Sequence, residues 1–197
     1  MDPRYLTKNK LRINKGLLKG RCLQVIETEN LRPTGSRIRE TLFNWLKSDL
    51  VGAHCLDLYS GTGILSIESL SLGASSCLAF ESNLLAFNQL TRIKTELKLQ
   101  HLNIVNQDCL SYLIQHPSQQ KYDIVYLDPP YKMVDGVTSC LNHLVKSNYL
   151  KTSSVLFYEQ PRPLILDTNA NFETIKEKKA GQVYYGLVKV KLGSTFD

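Results

Sequence analysis

Four strand-and-helix pairs follow one another between residues 53 and 160, and this rhythm restricts the fold more than any other feature of the chain. Short apolar runs at Ala53–Tyr59, Ser76–Glu81, Leu102–Asn106 and Tyr122–Asp128 read as strands. After them come stretches with helical spacing: Thr62–Leu72, Leu84–Leu99, Leu110–His116 and Val134–Ser147. A fifth strand is expected over Val155–Gln160. Such alternation predicts an α/β fold, a parallel sheet with helices on both faces. The Tyr122–Asp128 run is nearly all apolar and is expected at the sheet centre, where a strand is buried on both sides. The rhythm then changes. Phe172–Lys178 and Gln182–Lys191, joined through Ala180-Gly181, predict an antiparallel hairpin at the sheet edge.

Upstream of the sheet, Leu11–Asn14 and Arg21–Ile26 flank the glycine-containing stretch Lys15–Gly20 and read as a small hairpin. A connector, Leu31–Ser36, leads into a helix over Arg37–Lys47, with Ser36 placed to cap it. Ile38, Leu42, Trp45 and Leu46 recur at helical spacing and predict its buried face.

Charge is concentrated in this upstream part. The first 40 residues carry ten Lys or Arg against four acids, whereas the remainder carries fourteen of each. A neutral body with a basic head points to a polyanion docked at one end, nucleic acid first among them. The bland alternative is a solvated, solubilising tail. Lys15, Lys19 and Arg21 in the hairpin, with Arg32, Arg37 and Arg39 behind it, are the candidate RNA contacts. Their alternative is a solvated face with surface ion pairs.

At 43% apolar and 21% charged residues, the chain is not disordered by composition. No apolar run approaches the roughly 20 residues of a membrane helix, and the basic N-terminus lacks a signal-peptide core. A cytoplasmic protein without a membrane partner is expected. The five cysteines, Cys22, Cys55, Cys77, Cys109 and Cys140, contain no C-x-x-C and do not cluster with the histidines. Buried free thiols are expected, with no metal site.

In a parallel α/β sheet, ligands bind at the carboxyl ends of the strands. The first strand is followed by Asp57-Leu58-Tyr59-Ser60-Gly61-Thr62-Gly63. Two glycines allow a sharp turn and close approach of a ligand. Ile67 stands where a dinucleotide fingerprint needs its third glycine, which argues against a pyrophosphate. Asp57 suits a cationic group instead. Glu81, at the second strand end, is placed to bind ribose hydroxyls or to cap a helix. Asp108, followed by Cys109 at the third, is placed to accept from an adenine amino group or to cap the next helix. Together they outline a nucleoside site without a phosphate clamp, which S-adenosylmethionine fits. The fourth strand ends in Asp128-Pro129-Pro130-Tyr131. Two prolines remove N–H donors and leave acceptors beside an aromatic ring, which suits an extruded base with an exocyclic amine.

The glycine loop, Glu81, Asp108 and Asp-Pro-Pro-Tyr together resemble the Rossmann-like S-adenosylmethionine-dependent methyltransferases of nucleobase amines. Leu31-Arg32-Pro33-Thr34, followed by Arg37-Ile38-Arg39-Glu40-Thr41-Leu42-Phe43-Asn44-Trp45-Leu46, resembles more closely the signature of the bacterial RsmD family. Arg12-Ile13 to Gly20-Arg21 and Ala180-Gly181-Gln182-Val183 extend the likeness to residues 11–191. Ser82 departs from it, since the family often has a charged or acidic residue there. The resemblance implies methylation of the 2-amino group of a guanine in 16S rRNA, within a small-subunit particle or assembly intermediate, by a monomer. A basic N-terminal extension and hairpin over 1–31 and a methyltransferase domain over 32–197 are expected, with residues 1–10 outside the likeness. Deleting residues 1–30 is then expected to leave a folded domain. Asp57, Tyr59, Ser60, Gly61, Thr62, Gly63, Glu81, Asp108 and Cys109 would hold S-adenosylmethionine. By the same analogy, Asp128 and the Pro129 carbonyl, backed by Pro130, accept from the base amine while Tyr131 stacks on it. Asp128 or water takes the released proton. Competing readings are an adenine amino methyltransferase of RNA or DNA, a protein-glutamine methyltransferase and a catalytically silent RNA-binding module.

Overall fold

The computed structural model describes residues 7–27, 33–130, 132–133, 135–166 and 171–191. The elements in chain order are β1 (Thr7–Arg12), β2 (Cys22–Glu27), α1 (Ser36–Trp45), β3 (His54–Asp57), α2 (Ile64–Ser71), β4 (Ser76–Phe80) and α3 (Leu84–Glu96). They continue as β5 (Leu102–Val105), α4 (Cys109–Gln115), β6 (Tyr122–Leu127), α5 (Gly136–Lys146), β7 (Leu150–Gln160), β8 (Phe172–Ala180) and β9 (Val183–Val190).

One seven-stranded sheet runs in the order β5-β4-β3-β6-β7-β9-β8. Strands β3 to β7 are parallel, and β9 pairs antiparallel with both β7 and β8. The hairpin expected at the edge is there, and β6 lies at the centre. Ile124, Val125, Tyr126 and Leu127 on β6 are each fully buried, which is why this run carries no polar alternation. The chain winds outward from β3 to β5 and then returns to lay β6 on the other side of β3. That reversal opens a crevice at the carboxyl ends of β3 and β6.

Two apolar cores flank the sheet. Leu42 of α1, Ile67 of α2 and Leu90 of α3 pack on one face. Leu113 of α4 and Leu141 of α5 pack on the other. A buried aliphatic side chain of this kind contributes about 1.5–3 kcal/mol.

Several local expectations are corrected. Helix α1 has Gly35 at its N-cap position and no side-chain cap. Ser36 Oγ instead accepts from Asn14 Nδ2 at 3.0 Å. Phe43, not Trp45, completes the buried face of α1, while Trp45 is half-buried and stacks on Tyr185. Strand β7 begins at Leu150, because its polar, solvent-facing first half hides the strand pattern. Cys22 is exposed, whereas Cys55, Cys77, Cys109 and Cys140 are buried.

The N-terminal hairpin is no separable tail. Leu11, Ile13, Leu23 and Val25 belong to the same core as α1 to α3. The linking turn is hydrogen-bonded to the end of α2: Leu17 N donates to Ser71 O at 2.8 Å, and Ser71 Oγ donates to Lys15 O at 2.7 Å. A Cβ on Gly16, whose φ is +78°, would come within 2.0 Å of the Ser71 carbonyl oxygen, so only glycine fits this docking.

Arg39 is the largest correction. It is 2% exposed, so it cannot sit on phosphates. Its guanidinium pairs with the Glu68 carboxylate, donates from Nη1 to Arg12 O at 3.2 Å and donates from Nε to Thr34 O at 3.1 Å. Glu68 also accepts from Asn14 N at 2.8 Å. The expectation that residues 1–30 can be removed cleanly therefore fails: deletion strips the core and breaks this network. Arg39→Ala leaves the Glu68 carboxylate buried without its counter-charge, which costs about 3–5 kcal/mol. Urea denaturation should show that loss, whereas Arg37→Ala, on the exposed side of α1, should stay within about 0.5 kcal/mol of the parent chain.

Candidate active site

A cavity of about 630 Å³ opens at the carboxyl ends of the central strands. The loop after β3 forms one wall, and its geometry follows from its small residues. Ser60 N and Ser60 Oγ both reach Phe80 O, at 2.9 and 3.0 Å, which ties the loop to the end of β4. Gly63 N donates to Ser60 O at 2.6 Å and starts α2 at φ +74°. A Cβ there would stand 2.2 Å from Leu90 Cδ1, so Gly63 lets α2 and α3 close together.

Glu81, 9% exposed at the end of β4, organises this wall. Its Oε2 accepts from Gly61 N at 2.8 Å and its Oε1 from Asn83 N at 2.7 Å. Asn83 in turn caps α3 through Leu85 N and Ala86 N. Asp57 is 2% exposed and accepts from Ser66 Oγ at 2.6 Å. Asp108 caps α4 through Ser111 N at 2.8 Å and lines the cavity at the same time. Tyr59 lines it with its hydroxyl 3.3 Å from Cys140 Sγ. Thr62 and Cys109 are buried in the lining.

Asp128 follows the last residue of β6 and accepts from Thr34 Oγ1 at 3.0 Å. Pro129 is buried and Pro130 exposed. Tyr131 and Arg32 lie outside the described residues. Of the candidate RNA contacts, Lys19, Arg21 and Arg37 are exposed, while Lys15 is half-buried and bonded to Asn44 Oδ1. The structure adds two residues that reading by motif missed. Thr34 holds the Asp128 carboxylate. Glu159 at the end of β7 is 5% exposed and lines the cavity facing Asp128. Its signal was present in the sequence, as an acid at a strand end, the same cue that selected Glu81 and Asp108.

Among the described residues, five carboxyls, Asp57, Glu81, Asp108, Asp128 and Glu159, thus line one cavity with a single ammonium, Lys132. Burial pushes the Asp57 carboxyl up to about 7, opposed by the Ser66 hydroxyl and reinforced by Asp128 and Glu81. Burial also raises Glu81, against its backbone N–H partners. Asp128 is raised well above the ordinary range by burial and then by the charge of Glu159, with Thr34 opposing. A site of this kind favours a cation and groups rich in N–H and O–H donors.

The switch-point crevice, the glycine loop and acids at successive strand ends define the Rossmann-like methyltransferase class. A putative S-adenosylmethionine-dependent methyltransferase from Streptococcus mutans shares this fold with a TM-score of 0.66, at 14% identity, over 86% of this chain and 52% of its own. A family model described as conserved hypothetical protein 95 matches residues 11–189. The ribosomal RNA small subunit methyltransferase D of Haemophilus influenzae is 36% identical over 182 residues, covering 91% of this chain and 94% of that protein. The structure of a putative methyltransferase from Escherichia coli matches with a TM-score of 0.83 and 32% identity, over 93% of this chain and 99% of that one. The chain belongs to the RsmD family.

The raised Asp57 pKa carries a sign that can be checked. Its folded value, about 7, lies above its ordinary value of 3.8, so its contribution to stability is full below about pH 4 and is lost as pH rises through 7. Asn imitates the protonated acid at every pH. The Tm of Asp57→Asn should therefore gain on that of the parent chain between pH 4 and 8, and scanning calorimetry across that range checks it.

Proposed function

We propose that the chain transfers a methyl group from S-adenosylmethionine to the 2-amino group of a guanine in small-subunit rRNA. The observation that carries this reading is the convergence of Asp128 and Glu159 on the cavity that Asp57, Glu81 and the glycine loop also line. S-adenosylmethionine supplies an activated methyl on a sulfonium, whose positive charge suits the acidic pocket. Asp57 and Glu81 would serve the aminocarboxypropyl and ribose ends, and Asp108 the adenine amine.

The target nitrogen is a weak nucleophile because its lone pair is delocalised into the ring. Asp128, held by Thr34, and the Pro129 carbonyl would accept from the NH₂ group and turn that lone pair toward the methyl. Positioning of this sort contributes up to about 7–11 kcal/mol. Guanine carries two kinds of donor side by side, its 2-amino group and the ring N1–H. Two carboxyls are a matching pair of acceptors for that edge. Adenine presents a ring acceptor beside its amine and so matches only one of two acceptors. In its ionised form Asp128, made more basic by burial and by the charge of Glu159, is also a fit acceptor for the proton released as the new bond forms.

Asp128→Ala separates the two halves of the site. Methyl transfer to a small-subunit rRNA substrate, followed with tritiated S-adenosylmethionine, should fall at least 100-fold. The cofactor dissociation constant by calorimetry should stay within about threefold, since Asp128 faces the base. Turnover at the parent rate would overturn the mechanism.

A further inference from the structure

The edge hairpin carries a feature that charge counting over the whole chain conceals. Strand β8 mixes acids and lysines, and its register places Lys176 and Lys178 on one face, with Glu177 and Lys179 on the other. Ahead of Ile175, Glu173 pairs in register with Lys189 and Thr174 with Val188. The register then slips, and Lys176 pairs with Leu187 and Lys178 with Tyr185. Ile175 is the extra residue of a β-bulge, and a one-residue insertion sends every following side chain to the opposite face. Lys176 and Lys178 are thereby brought onto the face that α1 covers. Their ammonium groups both lie 5.7 Å from the centre of the Trp45 ring. Glu177 goes to the other face and binds the Tyr158 hydroxyl, removing its charge from the lysines.

Trp45 is itself stacked on Tyr185, with centroids 5.7 Å apart and planes at 26°. Tyr185 pairs in register with Glu159, a cavity residue. Lys178 therefore lies two strands across from Glu159, about 10 Å at ordinary strand spacing, with Trp45 stacked over Tyr185 on the strand between them. Exposed ammonium groups beside an aromatic surface suit a single-stranded polyanion with bases, since backbone charge and ring stacking are recognised together.

Resting on the proposed rRNA substrate, we infer that Trp45, Lys176 and Lys178 form a second RNA-contact surface, on which nucleotides flanking the target base lie. The β-bulge at Ile175 aims this surface.

Trp45 is the single tryptophan of the chain, so its fluorescence reports on this surface directly. Titrating the full chain with a small-subunit rRNA transcript should change Trp45 emission and shield it from acrylamide, saturating with the binding curve measured by filter retention. In parallel, the double variant Lys176→Gln/Lys178→Gln should lower the slope of log affinity against log salt by about 1.4–1.8, at roughly 0.7–0.9 per lost phosphate contact. Lys179→Gln, whose ammonium lies over Tyr184 on the opposite face, should leave the slope unchanged. Cofactor affinity of all variants should match the parent chain. The inference is overturned if the transcript binds while Trp45 emission and quenching stay constant. It is equally overturned if the double variant keeps the parent slope. Failure of the parent chain to bind the transcript at all would instead remove the substrate reading, and this inference with it.

Discussion

The ion pair between Arg39 and Glu68 joins the parts of this molecule that must work together. Glu68 lies on α2, the helix that the glycine loop starts. Arg39 lies on α1 and also holds the Arg12 carbonyl of the N-terminal hairpin and the Thr34 carbonyl of the connector. Thr34 is the residue whose hydroxyl binds Asp128. Hairpin, glycine loop and Asp128 thus meet through one buried guanidinium. Burial draws the Arg39 pKa down and the Glu68 pKa up, and each partner opposes the other's shift. Such a pair adds little net stability compared with an apolar replacement, but removing one member is costly. Its value here is geometric: it fixes the distance between the basic hairpin and the acids of the cavity.

The cavity follows a second constraint, the gathering of acids at strand ends. Most of these carboxyls have structural partners as well. Glu81 secures Gly61 and Asn83, Asp108 caps α4, and Asp57 accepts from Ser66. The distinction between a helix cap and a ligand group, drawn from single residues, dissolves in the structure: a carboxylate with several lone pairs can satisfy a backbone N–H and still face a ligand. Burial raises Asp57, Glu81 and Asp128 together, so a cation in the cavity would favour their charged forms.

The parallel sheet, its central strand and the edge hairpin were legible because apolar periodicity reports burial directly. The cavity acids were legible because strand ends are where such folds bind ligands. Arg39 was misread, since an arginine in a basic segment looks the same whether it meets phosphate or a carboxylate nearly thirty positions away. Glu68 gave no warning because it falls mid-helix, at no strand end. Glu159 was overlooked because no motif marked the end of β7, although that end was read correctly at Gln160. The two faces of β8 were invisible for a different reason. A β-bulge changes register by one residue, and nothing in Ile175 itself announces that the alternation restarts there.

The central claim concerns one chemical bond, a methyl on the 2-amino nitrogen of guanine, and mass spectrometry of ribosomal RNA nucleosides reads it directly. Small-subunit rRNA from cells lacking this chain should lose N2-methylguanosine at one position, with the mark restored when the chain is supplied again. An unchanged N2-methylguanosine content, or loss of a methylated adenine in its place, would contradict the account.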